Sequence, residues 1–161
     1  MPVDTGIIGS RTAPHSVEVE RGRLRFFAQA TGQQDPLYTD PDAAGAAGHR
    51  DLPVPPTFYF CLEMDNPNRG RFLADLGIDL RTILHGGQTF EYHAQAYAGD
   101  TLTFETEVTD VYSKKGGALE FIVRATHVTR DGEPVATLTS TTVVRAELAS
   151  TTVVHDPKAA T

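Results

Sequence analysis

The sequence predicts an α+β domain in which one buried helix packs against an antiparallel β-sheet. Two features of the chain support this fold class. The segment from Phe58 to Leu62 is apolar on nearly every side, which is typical of a fully buried helix. From Leu102 onward, apolar and polar residues alternate as they do in half-buried strands, and turn sequences separate the successive runs.

Three further helices are predicted around the buried one. The first runs from Glu20 to Ala30, where apolar residues have helical spacing and Gly32 supplies the C-terminal cap. The second opens at Pro41, because an aspartate N-cap precedes it and proline suits the first helical position. The buried helix begins near Pro56 for the same reason, and a short amphipathic pattern follows between Asn66 and Leu80.

Four strands are predicted after these helices. They run from Gln88 to Tyr97, from Leu102 to Val108, from Phe121 to Val128 and from Val135 to Arg145. Glycine-containing turns at 113–117 and 130–134 join the last three strands as antiparallel hairpins.

A chain of 161 residues suits one domain with a sizeable core and is too short for two ordinary ones. We predict a lead-in at 1–16, a single domain at 17–146 and a C-terminal tail at 147–161. Within that tail, Thr151 to Val154 could add an edge strand.

Composition excludes several classes of function. A net charge of -7 argues against nucleic acid as the main ligand. No apolar run approaches the roughly 20 residues that a membrane helix needs, so we expect no membrane association. The N-terminus lacks the pattern of a signal peptide, and the single cysteine, Cys61, cannot form an internal disulfide, which together favour a cytoplasmic location.

We expect neither a metal nor a cofactor. His85 and His93 would lie about 26 Å apart along a continuous strand, too far to share one ion. The chain also has no glycine-rich loop that could cradle a nucleotide.

The segment from Thr31 to Tyr38 resembles the catalytic loop of MaoC-like, or R-specific enoyl-thioester, hydratases. Those enzymes carry the pattern Gly-Asp-x-Asn-Pro-x-His. Gly32 and Pro36 match it, but Gln33 stands at the position of the aspartate and Tyr38 at that of the histidine.

The order of motifs from Ile8 to Arg145 is similar to that of FAS1-like dehydratase domains of the MaoC N-terminal type. These motifs include Pro-Pro-Thr-Phe at 55–58, His-Gly-Gly-Gln at 85–88 and Ala-Gly-Asp at 98–100. The resemblance implies a hot-dog fold, in which a curved antiparallel sheet wraps around a central helix. It also implies pairing of two such units, so we expect a homodimer or a heteromer with a catalytic hot-dog subunit.

The activity implied by the resemblance is addition of water to a 2-enoyl thioester, or the reverse, on coenzyme A or an acyl carrier. This reaction needs a base, an acid and donors for the thioester oxygen. Glutamine does not titrate and a free phenol titrates only near pH 10, so Gln33 and Tyr38 are poor replacements for an Asp/His pair. Asp35 and His49 are possible substitutes, although an Asx turn for Asp35 and a solvent-facing loop position for His49 are the favoured interpretations.

Substrate-binding residues are expected at two places. The start of the central helix, at Pro56, Thr57 and Phe58, could donate amide hydrogen bonds to the thioester oxygen, because orphan N–H groups and the helix dipole favour negative charge there. His85 and Gly86 belong to the strand motif that the resemblance includes, and we place them in the substrate site as well.

Three functions remain open at this point. The chain could form the acyl pocket while a second subunit supplies an intact Asp/His pair. It could be a self-sufficient hydratase or dehydratase that uses Asp35 or His49, or it could bind acyl thioesters without any chemistry. Thioesterase chemistry ranks last, because its only inward candidate, Glu63, follows the buried run by about one turn and is expected on an exposed face.

Overall fold

The computed structural model describes residues 3–145, and its centre is one five-stranded antiparallel sheet. The strands are β1 (His15–Glu18), β2 (Ile83–Tyr92), β3 (Thr101–Lys114), β4 (Leu119–Arg130) and β5 (Glu133–Arg145). Their order across the sheet is β1-β3-β4-β5-β2, so the three long strands form a central meander and β1 and β2 lie at its edges.

Four α-helices accompany the sheet, and they are α1 (Arg21–Ala30), α2 (Pro41–Ala46), α3 (Phe58–Glu63) and α4 (Arg71–Asp75). The central helix α3 is only six residues long, and a helix this short does not persist in water by itself. Tertiary packing stabilises it instead: Phe58, Tyr59 and Leu62 are buried against the sheet. Burial of a side chain such as Phe58 or Leu62 contributes about 1.5–3 kcal/mol.

The predicted α+β class is confirmed, and most elements lie where the sequence places them. Helix α1, the aspartate-capped α2 and the two β-hairpins agree with the patterns that predicted them. The strand predicted from Gln88 to Tyr97 is displaced, since β2 begins at Ile83 and ends at Tyr92. Strand β1 was not predicted, and the possible edge strand at 151–154 lies outside the described residues.

The apolar core consists of two clusters on the inner face of the sheet. The larger one joins α1 and α3 to the sheet, and the smaller one surrounds Val108, Val111 and Ile122 and receives Leu73 of α4. Between them, polar side chains occupy the inner face at Arg124 and Ser140, which pair directly across β4 and β5. The inner face is therefore apolar at both ends and polar in the middle.

A β-bulge interrupts β2 at Gly86, where the register with β5 shifts between His85 and Gly87. A Cβ atom at Gly86 would lie 2.7 Å from Cγ2 of Val143 and 3.2 Å from the carbonyl oxygen of Thr141. Only glycine therefore allows β2 and β5 to approach this closely.

We predict that Gly86→Ala destabilises the protein by about 1–3 kcal/mol, because the added methyl group overpacks the contact with Val143. The matched control is Gly87→Ala, where an added Cβ meets nothing within 4 Å. The control should be neutral or stabilising by about 0.4–1 kcal/mol, because alanine restricts the unfolded chain. Urea unfolding of both variants measures the difference, and equal stabilities would contradict the steric account of the bulge.

Candidate functional site

The loop after α1 has its conformation fixed by its own side chains. Gly32 has a φ of 71° and ends the helix, and the amide of Gln33 donates to the carbonyl oxygen of Ala28 at 2.8 Å. The side-chain oxygen of Gln33 accepts from the amide of Asp35 at 3.0 Å, and the carboxylate of Asp35 accepts from the amide of Leu37 at 2.9 Å. Both side chains are exposed and both stabilise the turn.

Tyr38 ends this turn and lines a cavity of about 350 Å³, which we call the Tyr38 cavity. The other lining residues are Val54, Pro56, Tyr59, Tyr92, His93, Ala94 and Gln95. Burial raises the pKa of Tyr59 to about 12 and also raises the pKa of Tyr92. These two phenols stay protonated near neutral pH, and Tyr92 donates to the carbonyl oxygen of Pro56 at 2.7 Å.

The start of α3 offers fewer free donors than the sequence suggested. The side chain of Phe58 is 3% exposed and packs edge-on against Phe27, and its amide donates to the carbonyl oxygen of Pro55 at 3.0 Å. Pro56 has no N–H group, and its carbonyl oxygen already accepts from Tyr92. Thr57 is exposed, and its amide donates to no protein atom within residues 3–145. The free donors at this point are therefore the amide and hydroxyl of Thr57.

His49 belongs to a different cluster. Its Nδ1 atom lies 3.2 Å from the hydroxyl of Tyr97, and it does not line the Tyr38 cavity. The guanidinium group of Arg50 stacks on the Tyr97 ring, 4.7 Å from its centroid, and also pairs with the buried carboxylate of Asp100. Asp100 accepts two more hydrogen bonds, from the Tyr97 amide at 2.9 Å and from Arg130 at 2.8 Å.

A second cavity of about 410 Å³ opens on the inner face of the sheet, and we call it the concave cavity. His85 lines it from β2, whereas Gly86 does not, and His85 also lies beside the Phe60 ring at 5.6 Å between centroids. The remaining lining is contributed by β1, α3, α4, β2, the central strands and the segments that connect them. It includes His15, Phe60, Glu63, Phe72, Leu73, Leu80, Leu84, Thr106, Arg124, Ser140 and Thr142.

Glu63 points into this cavity, so the expectation of an exposed face was wrong. Its carboxylate accepts a hydrogen bond from the hydroxyl of Thr126 at 2.6 Å, and Thr126 is 1% exposed. The hydroxyl of Thr106 lies 2.8 Å from that of Thr126. Because Thr126 donates to Glu63, Thr106 donates to Thr126, and the three groups form one chain of hydrogen bonds.

Arg124 and Ser140 are cavity residues that the sequence analysis missed. Strand alternation contained the signal: Arg124 lies two residues from Ile122, and both side chains face the core. Burial lowers the pKa of Arg124, and the nearby Glu63 carboxylate partly offsets this effect. Burial likewise lowers the pKa of His15, and a hydrogen bond with the backbone of Leu62 partly offsets this effect.

Two further observations bear on the expected absences. Among the residues that the structure describes, no three His, Cys, Asp or Glu side chains are grouped so that they could hold a metal ion. No helix between residues 3 and 145 has the length and apolar character needed to cross a membrane.

Comparison with known proteins places this geometry among dehydratase domains. Residues 6–138 match the family described as FAS1-like, dehydratase domain region. A UPF0336 protein of Saccharopolyspora erythraea is 40% identical over 147 residues, which cover 90% of this chain and 93% of that protein.

Solved structures show the same fold. A C-terminally truncated HadBC (3R-hydroxyacyl-ACP dehydratase) complex from Mycobacterium tuberculosis superposes with a TM-score of 0.74 at 27% identity, covering 85% of this chain and 96% of that one. A MaoC-like dehydratase gives a TM-score of 0.76 at 27% identity, covering 86% of this chain and 42% of that one. These likenesses confirm the predicted hot-dog fold.

The Asp100 cluster generates a pH prediction. Burial acts to raise the pKa of Asp100, but hydrogen bonds from Arg50, the Tyr97 amide and Arg130 outweigh it and hold the pKa below its usual value. A depressed carboxyl pKa adds stability above the unfolded-state pKa of about 3.9, and this stability is lost as the pH falls below it. We therefore expect Asp100→Asn to cost about 1.5–3 kcal/mol at neutral pH and progressively less below about pH 4.

Urea unfolding of both proteins across this pH range measures the effect. The matched control is Asp110→Asn, an exposed aspartate on β3, which should leave stability within about 0.5 kcal/mol at every pH. A cost for Asp100→Asn that does not change with pH would show that the ion pairs do not stabilise the fold.

Proposed function

This chain belongs to the family of FAS1-like dehydratase domains, and we propose that within it the chain is a pocket-forming subunit that does not itself carry the catalytic pair. Its substrates would be 2-enoyl or 3-hydroxyacyl thioesters of coenzyme A or an acyl carrier. A second hot-dog subunit would bring the aspartate and histidine that perform hydration or dehydration.

The observation that carries this proposal is the composition of the loop between α1 and α2. Gln33 and Tyr38 stand where the family pattern has its acid–base pair, and the side-chain oxygen of Gln33 already accepts a hydrogen bond from the amide of Asp35. The carboxylate of Asp35 in turn accepts a hydrogen bond from the amide of Leu37. Neither residue is positioned as a free base facing the Tyr38 cavity.

Both cavities support binding rather than turnover. The Tyr38 cavity presents the phenol of Tyr38, whose hydroxyl can donate to the oxygen of a thioester. The concave cavity, at about 410 Å³, has the size of a typical small-ligand site and carries apolar walls that include Phe60, Leu80 and Leu84. We assign the acyl tail to the concave cavity.

Partner choice follows from the same reasoning. The HadBC structure is a dehydratase complex named for two components, and one chain of it superposes on 85% of this chain. A heteromer with a catalytic subunit therefore fits the replaced pair, whereas a homodimer of this chain would contain no Asp/His pair at this loop.

We predict that the purified chain binds dodecanoyl-CoA but does not hydrate any 2-enoyl-CoA above the uncatalysed background. Calorimetric titration measures the binding, and loss of enoyl absorbance measures the hydration across short to long acyl groups. The expected absence of turnover reflects the missing pair, because general acid–base groups contribute about 10²–10⁴-fold to the rate.

Turnover by the chain alone would overturn the non-catalytic role and favour a self-sufficient enzyme. Asp35→Asn, His49→Ala and His93→Ala would then locate the replacement base. His93 is included because it lines the Tyr38 cavity, and His49 serves as the comparison because it lies outside it. A chain that binds no acyl-CoA would overturn the pocket-forming role as well.

A further inference from the structure

The floor of the concave cavity is polar where a plain alkyl chain would need an apolar surface. On the inner face, Val108, Arg124, Ser140 and Gln88 form one row across β3, β4, β5 and β2. Three of these four residues are polar, and two of them, Arg124 and Ser140, line the cavity. In the next row toward the end of the strands, Thr142 pairs with Ile122 and faces the cavity as well.

Several polar atoms around this floor have no partner within the protein. Nε of Arg124, Nε2 of His15 and both side-chain polar atoms of Gln88 are buried without a hydrogen bond in the described part of the chain. A buried polar group left unpaired costs about 1–3 kcal/mol. These groups would be stabilised by hydrogen bonds to a molecule that enters the cavity.

The electrostatic balance of the cavity indicates what kind of partner fits. Arg124 brings one positive charge, and Glu63 is close enough to raise its pKa, so the two charges offset each other. An anionic group that approached Arg124 would be repelled by Glu63, and a cationic group that approached Glu63 would be repelled by Arg124. A neutral oxygen function avoids both conflicts, and it can accept from Arg124 or Ser140 while a hydroxyl proton can reach Glu63.

We propose that the concave cavity selects acyl tails that carry an uncharged oxygen group, a hydroxyl or a ketone, at the depth of Arg124 and Ser140. The proposal rests on the function proposed above, which brings the acyl tail into this cavity. It goes beyond that function because it names the class of tail. Plain alkyl tails would leave the polar floor unpaired, and tails that end in a carboxylate would be opposed by Glu63.

Calorimetric titration of the full chain with length-matched thioesters tests the proposal. The probes are dodecanoyl-CoA, a series of hydroxydodecanoyl-CoA and oxododecanoyl-CoA isomers with the oxygen at successive carbons, and the mono-CoA ester of dodecanedioic acid. At one region of the tail, the oxygenated probe should bind about tenfold more tightly than dodecanoyl-CoA, as expected for one or two net hydrogen bonds. The carboxylate-ended probe should show no such gain.

Two variants connect the preference to the cavity floor. Ser140→Ala removes one hydroxyl at almost constant volume, and Arg124→Met removes the guanidinium group at similar length. Both should reduce the ratio of the two affinities toward one, because the oxygenated probe loses a hydrogen-bond partner and dodecanoyl-CoA no longer leaves that polar group unpaired. The matched control is Thr139→Ala, on the neighbouring residue of β5 whose side chain lies on the opposite face, and it should keep the tenfold ratio.

The outcomes separate the two proposals. If dodecanoyl-CoA binds but oxygen at every position leaves the affinity unchanged, selection by the polar floor is wrong and the pocket-forming role survives. Selection by the floor is also wrong if both variants retain the preference, or if the carboxylate-ended probe binds most tightly. If no acyl-CoA binds at all, the pocket-forming role fails and tail selection fails with it.

Discussion

The length of α3 is the constraint on which the rest of the structure depends. Six helical residues span about 9 Å, whereas the twelve residues of β4 span roughly 40 Å, so α3 covers only part of the inner face of the sheet. Phe58, Tyr59 and Leu62 seal the covered part into the main core. Past Glu63 the chain turns away, and α4 packs on the smaller cluster through Leu73. The concave cavity is the space left between these two contacts.

The polar floor and the short helix depend on each other. Beneath an apolar helix, Arg124 and Ser140 would be desolvated with no partner, which is among the more expensive arrangements in a core. Because α3 ends at Glu63, its last side chain reaches the sheet and accepts from Thr126, and the surface beyond remains open. If the helix were longer and apolar, the row of the sheet beneath it would have to be aliphatic. The sheet sequence and the helix length are therefore matched.

Local patterns predicted the elements whose causes are local. The helical spacing and Gly32 located α1, and the glycine-containing turns located the hairpins, because capping and turn geometry act within a few residues. The start of β2 was missed because Gly86 and Gly87 interrupt the period-two alternation, and the need for a bulge at Gly86 comes from Val143 on another strand. Period-two alternation predicted β4, but both of its faces carry apolar residues. The pattern therefore did not indicate that the face with Ile122 and Arg124 is the inner one. Arg124 was therefore overlooked.

The loop at 31–38 shows how family membership and activity can separate. Its conformation depends on the positive φ of Gly32, the amide of Gln33 and the turn capped by Asp35, none of which needs an aspartate or histidine at the two replaced positions. The backbone of the site can therefore persist after its acid–base chemistry is gone. What such a chain can still contribute is the shape and polarity of its cavities. In the proposed division of labour, the partner subunit determines the reaction, and the row at Arg124 and Ser140 determines which acyl tails reach it.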